Sequence, residues 1–167
     1  APQDALWGRP YEGFGEDPTL GVTMESAIDG LQGPPGHLAD RDRVLATAKH
    51  FAGDGDTTYG TATGDYKIDQ GIAVTNHRDF WWTSLQQYVP AVQQHAVGSV
   101  MPSFSSVDWT ADGVGHPIKM PGNTELLTGR RKGSMHVGGC GLSYWEGVQQ
   151  RPGDRPARAR TGGHGGG

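Results

Sequence analysis

The chain has 167 residues, a formal net charge of −4, and 34% hydrophobic residues. That length allows one domain with a true core, although a mean hydropathy of −0.57 is low for an independent globular unit. The acidic balance argues against a nucleic-acid surface, no apolar run is long enough to span a membrane, and the lone Cys140 cannot close an internal disulfide.

In chain order, residues 1–15 are rich in Gly and aromatics without helical period and are predicted to be a loop, WGRPYEGFGEDP. Asp17-Pro18 starts a helix well, with Asp as cap and Pro in the first turn. Leu20, Met24, Ala27, Ile28 and Leu31 share one helical face, and Gly33-Pro34-Pro35-Gly36 stops the helix. Residues 44–48 read as a short buried strand, followed by a polar loop over 54–69. Residues 79–97 read as a second helix, with a kink expected from Pro90. Residues 98–103 read as a second strand, 123–132 as a third helix, and 135–143 stand where a third strand should follow, weakened by three glycines. This alternation implies parallel βα units. In such folds functional residues collect after the carboxyl ends of strands, so Lys49-His50, the 101–109 loop and Tyr144-Trp145 are expected to meet in one pocket, with Arg9 joining if a strand precedes residue 4.

Lys49 and His50 end an apolar run, so their side chains should point to opposite sides near the rim. They either donate to hydroxyl groups or are a surface Lys and a satisfied core His. Arg9 either forks onto paired oxygens or pairs with Glu12 and shapes its loop. Asp54-Gly-Asp56-Thr-Thr58 mimics the start of a calcium loop, but Tyr59 stands where Gly is required and Asp65 where Glu is required. Solvated acids, or hydrogen bonds bracing the strand end, fit better. Trp7, Phe14, Phe104 and Trp109 are candidates to stack on a sugar face or simply to pack. The His residues have no metal-binding helical spacing, and no serine elbow, phosphate loop or dinucleotide fingerprint occurs. No metal or cofactor is expected.

WGRPYEGFGEDP, VLATAKHFAGDG and GSVMPSFSS, in this order, resemble the N-terminal catalytic domain of glycoside hydrolase family 3, the β-glucosidase family. The resemblance runs from about Leu6 to Asp154. It implies an α/β fold, an incomplete (β/α)8 TIM-type barrel over residues 1–150, and hydrolysis of terminal β-D-glucosyl residues with retention. The partner implied is a β-glucoside or oligosaccharide, not a nucleic acid or a membrane. By motif, Arg9, Lys49 and His50 would hydrogen-bond the sugar, Asp54 would support them, and Met101, Phe104 and Trp145 would line the subsite. The family often has Tyr where Phe104 stands. Its members are often secreted or periplasmic, which leaves the compartment open.

The family's nucleophile is an Asp in a Ser-Asp-Trp motif. Here Ser143-Tyr144-Trp145-Glu146-Gly147 aligns with it, so Tyr144 occupies the nucleophile position. Retaining hydrolysis needs two carboxylates about 5 Å apart, and a phenol with pKa near 10 is a poor substitute. The family gives Glu146 no such role, and its general acid lies beyond this segment. The first barrel strands are not recognised, and residue 1 opens no leader, so the chain is expected to be a fragment with weak turnover or none. Residues 151–167 hold four Arg and one Asp, net +3, without apolar pattern. They are expected to be a disordered tail, arising from altered reading frame or as a natural basic extension.

Overall fold

The computed structural model describes residues 1–62, 68, 70–135 and 140–142. Two short turns, Ala5–Trp7 and Pro10–Glu12, open the chain. Helix α1 (Pro18–Met24) starts as its sequence demands, the Asp17 carboxylate accepting from the Thr19 N–H at 2.9 Å. The single helix expected to reach Leu31 is divided at Glu25, and α2 covers Ser26–Gln32. Thr23 Oγ1 donates to the Thr19 carbonyl at 3.0 Å, a back-bond that competes with the helical ladder and bends it.

Strand β1 is Thr47–Phe51, three residues later than the apolar run suggested. The reason lies in the hydrogen bonds upstream. The Val44 N–H donates to the Leu31 carbonyl and the Ala46 N–H to Gln32 Oε1, so this backbone is committed to the end of α2. Val44 and Leu45 are consequently exposed. Gln32 itself is buried and uses its amide fully. Nε2 donates to the His95 and Ala96 carbonyls at 3.2 and 2.8 Å, while Oε1 accepts from Ala46 N and Gly98 N at 3.3 and 3.0 Å. One side chain thereby ties α2 to the segments entering two strands.

After strand β2 (Ile72–Thr75), helix α3 (His77–Phe80) is capped by Asn76, whose Oδ1 accepts from Asp79 N at 2.9 Å. A π-type turn, Trp81–Leu85, follows, and α4 covers Tyr88–Gln93. The single helix expected over 79–97 is divided at Gln86–Gln87, and Pro90 lies in the first turn of α4. Pro90 has no N–H for the carbonyl four residues earlier, and its ring crowds that carbonyl. Strand β3 (Ser99–Pro102) matches its expected position, and the third helix is a π-type segment, Glu125–Ser134.

Two sheets result. In the first the order is β1-β3-β6, where β6 is Cys140–Gly141, and both pairings are parallel. This β6 falls within the strand expected over 135–143, whereas Met135 ends the preceding helix. The β1 register slips between Lys49 and Phe51, and the Lys49–His50 and Phe51–Ala52 peptide bonds are cis. The second sheet was not foreseen. It orders β2-β4-β5, with β4 Ser106–Trp109 parallel to β2 and β5 Ile118–Lys119 antiparallel to β4. Ser106–Trp109 lies in the stretch expected to be the loop after the 98–103 strand, and it carries the charged Asp108. Its carboxylate is buried with acceptance from Gly115 N at 2.7 Å and His116 N at 3.2 Å, so the strand carries it without an unmet charge.

The core joins Phe51, Phe80, Leu85, Tyr88, Val100, Val107, Trp109, Met120 and Leu126. Phe51 and Tyr88 meet edge to face at 5.0 Å between ring centres, a geometry adding about 1 kcal/mol beyond area burial. Gly53, at φ +85°, turns the chain out of β1, and a Cβ there would lie 2.6 Å from Phe80 Cε2. Only glycine meets both demands. On the face that Leu20, Met24, Ile28 and Leu31 share, Leu20, Met24 and Leu31 are about half exposed, while Ile28 packs on the core.

Candidate active site

The turns at the chain's start bring Arg9 and Glu12 to the end of β1. No strand precedes Arg9 among the described residues; the Pro10–Glu12 turn positions it instead. Arg9 Nε lies 3.0 Å from Glu12 Oε1, and Arg9 Nη2 lies 3.2 Å from Oε2. Lys49 Nζ donates to the same Oε2 at 2.8 Å. Arg9 Nη1 stands 3.7 Å from Asp54 Oδ2, which is 3.0 Å from His50 Nδ1. Five side chains thus form one chain of alternating charge and hydrogen bonding, Lys49–Glu12–Arg9–Asp54–His50. Arg9 also lies 5.9 Å from the Trp7 ring centre, within cation–π range.

Burial grades across this group. His50 and Asp54 are buried, with side chains 5% and 7% exposed, while Lys49 is 47% exposed. Glu12 is held down to about 2, chiefly by its hydrogen bond from Arg9 and then by that from Lys49, so it remains a carboxylate at ordinary pH. The nearby Asp56 carboxyl is pushed up by burial, opposed first by a hydrogen bond from Thr83 at 3.0 Å.

Lys49 and His50 both line one cavity of about 330 Å³ with Glu12, Phe14 and Asp54, Lys49 half-exposed and His50 buried. The register slip after Lys49 interrupts strict alternation. The cavity's far end is apolar, lined by Met24, Ala27, Ile28, Leu31 and Ala91, with Glu25 and Gln87 among them. There burial raises Glu25 to about 7, against a smaller lowering by His95. His95 Nδ1 lies 2.9 Å from Asp29 Oδ2.

The other expected site residues separate. Met101 stands opposite Lys49 in the β1–β3 ladder and is half-buried. Phe104 is buried away from the cavity wall. Trp109 is also buried, stacked on His77 at 4.0 Å and donating from Nε1 to Glu125 at 3.0 Å. It therefore packs in the second sheet instead of offering a sugar platform. Trp7 lines the cavity but is buried, whereas Phe14 is 57% exposed on the same wall. Tyr144, Trp145 and Glu146 lie outside the described residues, as do Asp65 of the calcium-like stretch and residues 151–167. Among the described residues, no three His, Cys, Asp or Glu side chains are placed to hold a metal, and no helix is long and apolar enough to cross a membrane. Sequence reasoning treated Glu12 only as a partner for Arg9. Its spacing of three from Arg9 was the available signal, but its contact with Lys49, 37 residues away, had none.

Residues 2–148 match the Glycosyl hydrolase family 3 N terminal domain. The chain belongs to this family. A beta-xylosidase of Formosa agariphila is 39% identical over 125 residues, 74% of this chain and 15% of that protein. The exo-1,3/1,4-beta-glucanase of a Pseudoalteromonas species superposes with a TM-score of 0.76 at 30% identity, over 90% of this chain and 17% of that one. The beta-glucosidase of Listeria innocua, solved in complex with glucose, gives 0.73 at 28% identity, over 88% of this chain and 18% of that one. The family 3 chain therefore spans less than a fifth of each. Its architecture is that of part of a TIM-type barrel, with parallel strands and intervening helices as expected.

Proposed function

We propose that this chain carries the monosaccharide-binding part of a retaining β-glycosidase acting on terminal, non-reducing β-D-glucosyl residues. The observation that carries the reading is the convergence of Arg9, Glu12, Lys49, Asp54 and His50 at the end of β1. A pyranose offers several hydroxyls, each both donor and acceptor. A guanidinium, an ammonium, an imidazole and a carboxylate at one rim supply both complements. Asp54 supports this: it lines the cavity, and its buried Oδ1 has no hydrogen-bond partner among the described residues. Such an atom is costly to leave unmet and suits a ligand hydroxyl. Phe14, exposed on the same wall, offers an apolar ring face.

In this reading Arg9, Lys49 and His50 orient the sugar, and Asp54 fixes the imidazole by accepting from its Nδ1–H. Chemistry then needs a nucleophilic carboxylate and an acid. Tyr144 occupies the aligned nucleophile position, so the isolated chain binds sugar but turns it over weakly or not at all. The identity to a beta-xylosidase supports a second substrate, a β-D-xyloside. The test is to titrate the purified chain with glucose and with xylose, following Trp fluorescence, and to assay nitrophenyl β-glucoside and β-xyloside beside a Lys49→Ala control. The expected result is a saturable glucose response, weakened at least about tenfold in the control, with nitrophenol release at background. A stronger xylose response reassigns the sugar. Nitrophenol release well above the control overturns the inactive nucleophile site, and no response to either sugar overturns the binding reading.

A further inference from the structure

Glu12 touches both cations at the rim of the cavity. We propose that Glu12 is the positioning residue of this pocket, holding Arg9 and Lys49 so that both present to the same sugar ring; this rests on the monosaccharide-binding reading above. Its two oxygens divide the work. Oε1 takes Arg9 Nε at 3.0 Å, and Oε2 takes Arg9 Nη2 at 3.2 Å together with Lys49 Nζ at 2.8 Å. A two-point contact fixes the plane of the guanidinium, which a single contact cannot do. That plane directs Nη1 toward Asp54, at 3.7 Å, and Asp54 in turn holds His50. The orientation of the buried pair thus depends on the carboxylate at the rim.

Lys49 depends on Glu12 differently. Its ammonium is half-exposed on a flexible stem, and the neighbouring Arg9 repels it. The shared oxygen reverses that repulsion and holds two like charges together. With both neighbours lowering its pKa to about 2, Glu12 stays charged and accepts hydrogen bonds without donating a proton, so its contribution is geometric.

The test uses the full chain and Glu12→Gln, which keeps shape and removes charge. The Arg9 Nε–H resonance, assigned by its loss in Arg9→Lys, is read first by 1H–15N NMR without sugar. It is expected to be protected in the wild type and in Lys49→Ala, and to lose protection in Glu12→Gln while the backbone spectrum is retained. Unchanged protection in Glu12→Gln overturns the proposal. Glucose affinity is then measured calorimetrically. Glu12→Gln is expected to weaken it about tenfold in the wild-type background and only about threefold in Lys49→Ala, because one of the two positioned cations is already gone. Equal losses in both backgrounds mark a loop-shaping role and overturn the proposal. If the wild type binds no glucose, the sugar-pocket reading fails first, and this role fails with it.

Discussion

Two glutamates line the same cavity and stand in opposite electrostatic states. Glu12, at the polar end, lies against two cations and is lowered to about 2. Glu25, at the apolar end, is raised to about 7 by burial, and its Oε2 has no hydrogen-bond partner among the described residues. The residue type is the same, so the environment decides. At the β1 end, charges are paired before they are buried. At the helical end, a carboxylate is desolvated first and only weakly compensated by His95. The first end is organised to keep charge, and the second to tolerate its loss. Substitutions that reach one end without the other test this division.

The largest expected effect strikes both ends. Gly53→Val places a branched side chain at φ +85°, where even a Cβ would lie 2.6 Å from the Phe80 ring. The cost is expected to exceed about 4 kcal/mol, since left-handed strain and overpacking add. Far-ultraviolet circular dichroism should report a largely unfolded chain at room temperature. A cooperative melt close to wild type would mean that β1 and the Asp54 turn are not held as described.

Gln32→Leu separates the ends. It removes four hydrogen bonds and leaves the backbone groups of Ala46, His95, Ala96 and Gly98 without that partner. A loss of about 3 kcal/mol is expected from buried groups left unmet, measured by urea denaturation. Under conditions where the variant remains folded, its Arg9 Nε–H resonance should match wild type, because none of the polar-end contacts involves Gln32. Lys49→Ala is the reciprocal change. Its side chain is 47% exposed and makes one ion pair among the described residues, so stability should fall by less than about 1 kcal/mol, while glucose affinity falls at least about tenfold.

The same division explains what could be read in the sequence. Local chemistry was legible: Asp17-Pro18 caps a helix, and the run before Lys49-His50 leads into a parallel strand, although three residues later than expected. Arg9, Lys49, His50 and Asp54 were named because their motifs are local. Legibility stopped where a side chain serves a distant backbone. Gln32 shifted β1 by three residues, and no period in the sequence reports a contact across 64 positions. Asp108 disguised a buried strand because its partners, Gly115 and His116, are loop amides. The loop aromatics stayed open between stacking and packing for a related reason. A Trp in a loop looks available for stacking, and only the packing of Phe80 and His77 on Trp109 shows that it is taken.

The smallest expected effect is the one most specific to the apolar end. A carboxyl whose folded pKa is raised binds its proton more tightly when folded. Stability therefore falls as pH rises from the ordinary value of 4.5 through about 7, and then levels. Glu25→Gln removes this term. Below pH 4.5 wild type and variant should melt together, because both carry a neutral group at position 25. The variant should then gain progressively and be more stable by about 1 kcal/mol at about pH 8, a figure reduced well below the full linkage value because Glu25 is only half-buried. Asp56, also raised by burial, is present in both proteins and cancels in the difference. Glu12 supplies the opposite slope. Lowered to about 2, it stabilises above pH 4.5 and loses that contribution as pH falls toward 2. Glu12→Gln should therefore converge on wild type only in strong acid. Thermal melts of the two variants across pH should diverge from wild type in opposite directions, Glu25→Gln upward and Glu12→Gln downward. If both curves moved the same way, the two ends of the cavity would share one electrostatic environment and the division would fail.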